Sequence, residues 1–213
     1  MSSRLQEPRI ENISPLPSDE AKWIEFQRID WTDQEGKSRV WEAANRKTRG
    51  SKGIDAVAIA PILLHPSKPP SVLIILQYRP PVQATCVEFP AGLIDGDETP
   101  ERAALRELKE ETGYVGKIIE ISPTIVSDPG LATANMQFAI VQVELEEGDV
   151  EPTQHLENGE HIERVVVPLD QLYEKLMAYS KEDGKSVDAR LFHWAAGLHF
   201  AKQNAKKFGF MQG

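Results

Sequence analysis

Cysteine is almost absent: the 213 residues include one, Cys86. No internal disulfide can form, so the chain suits a compartment that keeps thiols reduced, the cytoplasm first and the nucleus compatibly. Flanked by Thr85 and Val87, Cys86 reads as a small buried hydrophobe rather than a nucleophile. Long apolar runs are missing too. The most apolar stretches, residues 54–64 and 72–76, fall far short of the ~20 residues a membrane helix needs. The first ten residues carry no apolar core of the kind that directs secretion. Positive charge is in deficit: the net charge is −9, which excludes a general binder of nucleic acid or of anionic membranes. A phosphate-bearing small molecule stays open only if a local cation or a metal ion screens the repulsion. Internal repeats and low-complexity tracts are absent as well.

What remains is a composition that can fold, with 40% hydrophobic and 27% charged residues. Residues 1 to about 20 are polar, carry Pro8, Pro15 and Pro17, and read as a loosely held arm. Residues 23–30 and 39–46 flank Asp33-Gln34-Glu35-Gly36, which predicts a β-hairpin. A two-stranded hairpin is marginal alone, so it must pack on something. A basic, glycine-bounded link spans 47–53. Rich in Val, Ile and Leu, residues 54–64 and 72–78 predict central strands separated by a loop over 65–70. Further strands are expected at 87–90, 118–125 and 137–145, with the last at 164–167. Helices are expected at 99–112, at 169–179 (Leu172, Leu176 and Tyr179 at helical spacing) and at 188–202 (Leu191, Trp194, Ala195 and Leu198). The expectation is an α+β protein: an N-terminal arm and hairpin over 1–50, then a domain over 51–213 whose sheet is covered by helices.

Residues 92–114 carry the chemistry. Thr99 is a good N-cap, Pro100 suits the first helical position, and Gly113 sits where a left-handed C-cap belongs. At about 100° per residue, Ala104, Leu105 and Leu108 share one arc and Glu107, Glu110 and Glu111 the next. Three carboxylates at i, i+3 and i+4 repel one another, and they crowd the helix end where the dipole disfavours negative charge. Arg106 relieves part of this. Such a cluster reads either as a solvated acidic face or as a site for a cation. Oxygen-only donors suit a hard ion, Mg²⁺ or Mn²⁺.

This segment resembles the Nudix box, a glycine, glutamate and arginine pattern here occupied by Gly92, Glu98, Arg106, Glu107, Leu108, Glu110, Glu111, Gly113 and Tyr114. Every charged and glycine position matches. Tyr114 alone departs, aromatic where the pattern has an aliphatic residue. Beyond the box, Gln77-Tyr78-Arg79-Pro80-Pro81, Val87-Glu88-Phe89-Pro90-Ala91-Gly92 and Ser127-Asp128-Pro129-Gly130-Leu131 are similar to the ADP-sugar pyrophosphatase branch of that family. The resemblance implies an α/β/α sandwich with a mixed sheet, and hydrolysis of ADP-ribose to AMP and ribose 5-phosphate. It implies Mg²⁺ (Mn²⁺ as a substitute) held by Glu107, Glu111 and the Ala91 carbonyl, with Glu110 a further ligand or a supporting group, Glu88 beside the metal, and Arg106 orienting the carboxylates. Bound metal lowers the pKa of a water, and a loop glutamate takes its proton. Glu157, Glu160 and Glu163 all stand in the right loop, and Asn158-Gly159-Glu160 matches best. The resemblance further implies that Trp23 and Trp41 stack the adenine and that Arg46 and Arg79 touch base or phosphates. Asp128, Gly130 and Leu131 would line the substrate site, and homodimers would exchange their N-terminal arms.

Two rival readings stand beside it. The box acts on a diphosphate whichever group leaves, so another nucleoside diphosphate derivative could be the substrate. A non-catalytic sensor of ADP-ribose should have lost box glutamates, and all three are present.

Overall fold

The computed structural model describes residues 7–209; the start of the N-terminal arm and of the segment read for a leader lies outside them. Asp33 closes a hairpin of β1 (Ile24–Thr32) and β2 (Ser38–Arg46) by accepting from the N–H groups of Glu35 and Lys37, both at 2.9 Å. This hairpin is a sheet of its own. A second, nine-stranded sheet follows. Its first members are β3 (Ala56–His65), β4 (Lys68–Arg79), β5 (Ala84–Glu88) and β6 (Ala91–Leu93). The signature helix α1 (Pro100–Thr112) comes next, then β7 (Lys117–Ile121), β8 (Ile125–Val126), β9 (Asn135–Glu144) and β10 (Ile162–Pro168). The chain ends with α2 (Leu172–Tyr179), β11 (Lys185–Val187) and α3 (Ala189–Phe208).

The sheet is mixed, in the order β11-β5-β4-β3-β9-β7, with β3·β9 and β5·β11 parallel. Its central strands read as unbroken apolar runs because both faces are covered. Val57, Ile59, Leu73 and Ile75 pack toward α1 with Ala103, Ala104 and Leu108. Ala60, Val72, Ile74 and Leu76 pack toward α2 and α3 with Leu172, Leu176 and Leu191. Each such large side chain, fully buried, contributes ~1.5–3 kcal/mol, which is what holds the three layers together.

β3 and β4 pair only near their turn, at Ile62↔Val72, Leu63↔Ser71 and His65↔Lys68. They then part. The N-terminal half of β3 takes β6, and the C-terminal half of β4 takes β5. The wedge between them receives Glu88 to Leu93.

Several sequence expectations are corrected. The 65–70 loop is only the turn at Pro66 and Ser67, since β4 begins at Lys68; prolines at 69 and 70 are tolerated at the outer end of a strand. The 164–167 strand is not the last, because three residues of β11 add to β5. The expected 87–90 strand ends at Glu88 and began at Ala84. Leu105 is exposed rather than sharing the buried arc, which runs through Ala103, Ala104, Leu108 and Glu111. Leu198 is 40% exposed. Tyr114 packs against the core cluster beside α1. Among the described residues no helix is long and apolar enough to cross a membrane.

Candidate functional site

The wedge and the C-terminal half of α1 face each other. Glu111, 3% exposed, accepts a hydrogen bond from the Ala91 N–H at 3.0 Å. Burial pushes its carboxyl up to about 8. The Ala91 N–H works against this, while the charges of Glu107 and Glu160 reinforce it. Glu107 is likewise raised by burial, with Arg106 opposing and Glu110 and Glu160 assisting. Gly92 makes this proximity feasible: a Cβ there would lie 1.8 Å from Oε1 of Glu107. Glu88, at the end of β5 and 6% exposed, accepts from Nε of Arg79 at 2.7 Å. Burial raises its pKa against the Arg79 charge.

Arg106 does more than partial relief. Its guanidinium reaches Glu98 at 3.0 Å, Glu107 at 2.7 Å, Glu110 at 3.0 Å and the Leu93 carbonyl at 3.0 Å. Hydrogen bonds to Glu98, and then to Glu107 and Glu110, keep it firmly protonated despite burial. It ties the glycine-rich lead-in to the acidic face of the helix.

Glu160 acts electrostatically on both Glu107 and Glu111. One of its oxygens accepts from the Glu157 N–H in its own loop at 3.0 Å. Glu157 is exposed. Glu163 pairs with Leu76 across the β10–β4 ladder, and its charge acts on Lys185, on the β11 side. His161 is exposed.

Among the described residues no three acidic, histidine or cysteine side chains are gathered closely enough to close on an ion unaided. Arg106 occupies one oxygen each of Glu107 and Glu110, and Ala91 N–H one oxygen of Glu111. The donor set still fits a hard divalent cation. It is all oxygen, and it contains buried carboxyls whose charge is disfavoured by burial and by one another, a cost that a cation would offset.

The residues expected to meet the nucleotide fall into two groups. Trp41 on β2 donates from Nε1 to the Gly130 carbonyl at 3.1 Å. The Leu131 carbonyl accepts from Ala44 N–H at 2.9 Å, and the Asp128 carbonyl turns the loop by accepting from Ala132 N–H at 2.9 Å. Trp41, Asp128, Gly130 and Leu131 thus form one cluster. Trp23 stands apart, 64% exposed, its carbonyl accepting from Lys47 N–H at the other end of the hairpin. Arg46 is close enough to Asp55 for its charge to help ionise it. Arg79 sits in the wedge with Glu88.

Sequence reasoning missed two supporting pairs. Arg49 forks onto Asp55 at 2.9 and 2.8 Å, and Asp55 also accepts from Asn135 N–H. Burial opposes ionisation of Asp55, but these bonds and the Arg49 charge hold its pKa low. Asp188, the N-cap of α3, is bound by Arg190, and both act on Glu88 because Asp188 N–H bonds to the Val87 carbonyl. An aspartate opening the expected 188–202 helix is the signal that could have found the cap; its place beside Glu88 depends on β11.

Comparison with known proteins identifies the family. Residues 54–194 match the NUDIX domain family. An ADP-ribose pyrophosphatase of Saccharomyces cerevisiae is 42% identical over 186 residues, 86% of this chain and 80% of the relative. An ADP-sugar pyrophosphatase of Mus musculus is 38% identical over 190 residues, 89% of this chain and 86% of the relative. A crystal structure of an ADP compounds hydrolase superposes with a TM-score of 0.57 at 21% identity, covering 99% of this chain and all of that one, which shows the shared fold. With a family model matching residues 54–194 and relatives about 40% identical over most of the chain, this chain belongs to the Nudix hydrolase family.

Proposed function

We propose that the chain hydrolyses the diphosphate bond of ADP-ribose and related ADP-sugars, giving AMP and a sugar phosphate, with Mg²⁺ as the metal and Mn²⁺ as a substitute. The observation that carries the proposal is that the Ala91 backbone, Glu107 and Glu111 meet in one wedge, with the charge of Glu160 acting on both carboxyls and Glu88 joined to the wedge through Arg79. The names of the relatives from Saccharomyces cerevisiae and Mus musculus support the substrate. Glu107, Glu111 and the Ala91 carbonyl would hold the metal, with Glu110 and Glu88 beside them. When bound, the cation would screen the diphosphate oxygens and acidify the attacking water. Arg106 orients Glu107 and Glu110, and Arg79 is positioned to contact a phosphate. Glu160 accepts the proton of the water as its oxygen bonds to one phosphorus in line and the bridging P–O bond breaks.

Trp23 and Trp41 stack the adenine, with Arg46 at the base, and the two tryptophans come from different chains. Trp23 lies opposite Lys47, six residues along from Trp41, or ~20 Å at ~3.3 Å per residue. That spacing supports a homodimer whose N-terminal units, residues 1–50, exchange between partners while residues 51–213 form the hydrolase domain. So does the exposure of Phe26 (76%) and Val40 (52%) on the hairpin.

The test is product analysis after incubation with ADP-ribose and Mg²⁺ beside Glu111→Gln. AMP and ribose 5-phosphate from the native protein alone are expected. Intact ADP-ribose sinks the substrate assignment and points to other nucleoside diphosphate derivatives, which the same wedge would accept.

A further inference from the structure

An α-helix leaves its last four carbonyls without intrahelical partners. In α1 all four are satisfied, and three of the donors come from a single distant segment. Lys109 O accepts from the Gly113 N–H of the C-cap. Glu110 O accepts from His155 N–H at 2.8 Å. Glu111 O accepts from the Gln154 side-chain amide at 2.6 Å, and Thr112 O from Nη1 of Arg164 at 2.6 Å. Arg164 also binds the Pro152 carbonyl and the Glu151 carboxylate, and its side chain is only 12% exposed. Gln154 uses the same amide nitrogen twice, giving a second bond to the Ile162 carbonyl at 3.1 Å.

Gln154 therefore joins three places: the helix end at Glu111, the start of the 155–161 loop, and the far end of that loop at Ile162. Within this excursion stands Glu160. Leu156 packs against the core cluster beside α1, and beyond the bonds already named the loop's hydrogen bonds are internal, between Glu157 and Glu160 in both directions. The helix that carries Glu107 and Glu111 thus holds both ends of the loop that carries Glu160.

We infer that Gln154 is a positioning residue for the hydrolysis: its two hydrogen bonds pinch the base of the 155–161 loop against the C-terminus of α1 and so set the distance from Glu160 to the acidic cluster. Arg164 is the buried, structural half of this clamp, and Gln154 is its adjustable half. The inference rests on the reading of Glu160 as the proton acceptor.

The experiment compares Gln154→Met, which keeps length and loses both donations, with Glu160→Gln and with the double variant. Amide hydrogen exchange and steady-state ADP-ribose hydrolysis are measured on each full-length protein. In Gln154→Met, amides of 155–161 should exchange faster while those of β3 and β9 do not. Turnover should drop on the order of ten- to hundredfold with KM nearly unchanged, as misplacement of a reacting group costs rate rather than binding. The double variant should be no slower than Glu160→Gln, because the two residues act as one unit. Unchanged exchange across 155–161 overturns the clamp whatever the kinetics show. Losses that multiply in the double variant overturn its action through Glu160. Faster loop exchange with full turnover in Glu160→Gln keeps the clamp and removes the base assignment on which its catalytic role stands.

Discussion

At the scale of single residues, the site concentrates acids that the fold makes reluctant to ionise. Glu111 is the extreme case. Its pKa of about 8 in the folded protein stands above the ~4.3 of an unfolded chain. Stability from its protonated form is complete below that lower value and disappears as pH rises through about 8. Metal-free protein is therefore expected to melt at progressively lower temperature from mildly acidic to mildly alkaline pH. Glu111→Gln should flatten this trend, leaving the smaller slope due to Glu88 and Glu107, which are shifted the same way. Melting curves in EDTA across that range check it, and parallel trends in the two proteins would refute it. Mg²⁺ should restore native stability most at high pH, where its ligands lose their protons without help.

At the scale of elements, the close approach of α1 to β6 is the sensitive dimension. Gly92→Ala puts a methyl group into the Glu107 carboxylate, and either strand or side chain must move. We expect a fall in turnover on the order of a hundredfold with the fold retained, readable from kcat beside an unchanged far-ultraviolet circular dichroism spectrum. Near-native turnover would mean that Glu107 is not held against the strand in the working enzyme. The hairpin is anchored by a second device. Arg49 reaches Asp55 and the Thr133 carbonyl, and Thr133 in turn donates to Asn45 of β2 at 2.6 Å. Asp55→Asn strands the Arg49 charge in a half-buried place and should cost ~3 kcal/mol, measured by urea denaturation. A loss under about 1 kcal/mol would show that solvent already screens the pair.

At the scale of the whole molecule, the proposed exchange of N-terminal units, argued from the separation of Trp23 from Trp41, makes a prediction about pairs of variants. Trp23→Ala and Trp41→Ala should each raise KM for ADP-ribose by about tenfold, from the ~1–3 kcal/mol of a lost stacking partner. Mixed and re-annealed, the two variants should regain part of the native activity at low substrate, since a heterodimer holds one site with both tryptophans. Light scattering should report twice the 23.8 kDa of one chain. A monomer that is fully active would refute the exchange.

The chemistry was legible in the sequence because it is local: Thr99, Pro100, Gly113 and the three glutamates lie within one helix, where a fixed 3.6-residue period decides which side chains share a face. The central strands were legible for the same reason, since burial on both faces writes itself as a continuous apolar run. The splitting of β3 from β4, the addition of β11, the arginine hub reaching back to Glu98, and the seat of Asp188 beside Glu88 were not. Each depends on contacts that reach beyond a single helix or strand, which no local period encodes. The three loop glutamates show the division most clearly. All are the same residue type and stand within seven residues, yet Glu163 lies in the β10–β4 ladder and acts on Lys185, whereas Glu160, in the loop, acts on Glu107 and Glu111. The sequence determined that carboxylates would cluster along one side of α1; only the tertiary structure decided which distant groups surround them, because position across a sheet is set by pairing and packing rather than by spacing.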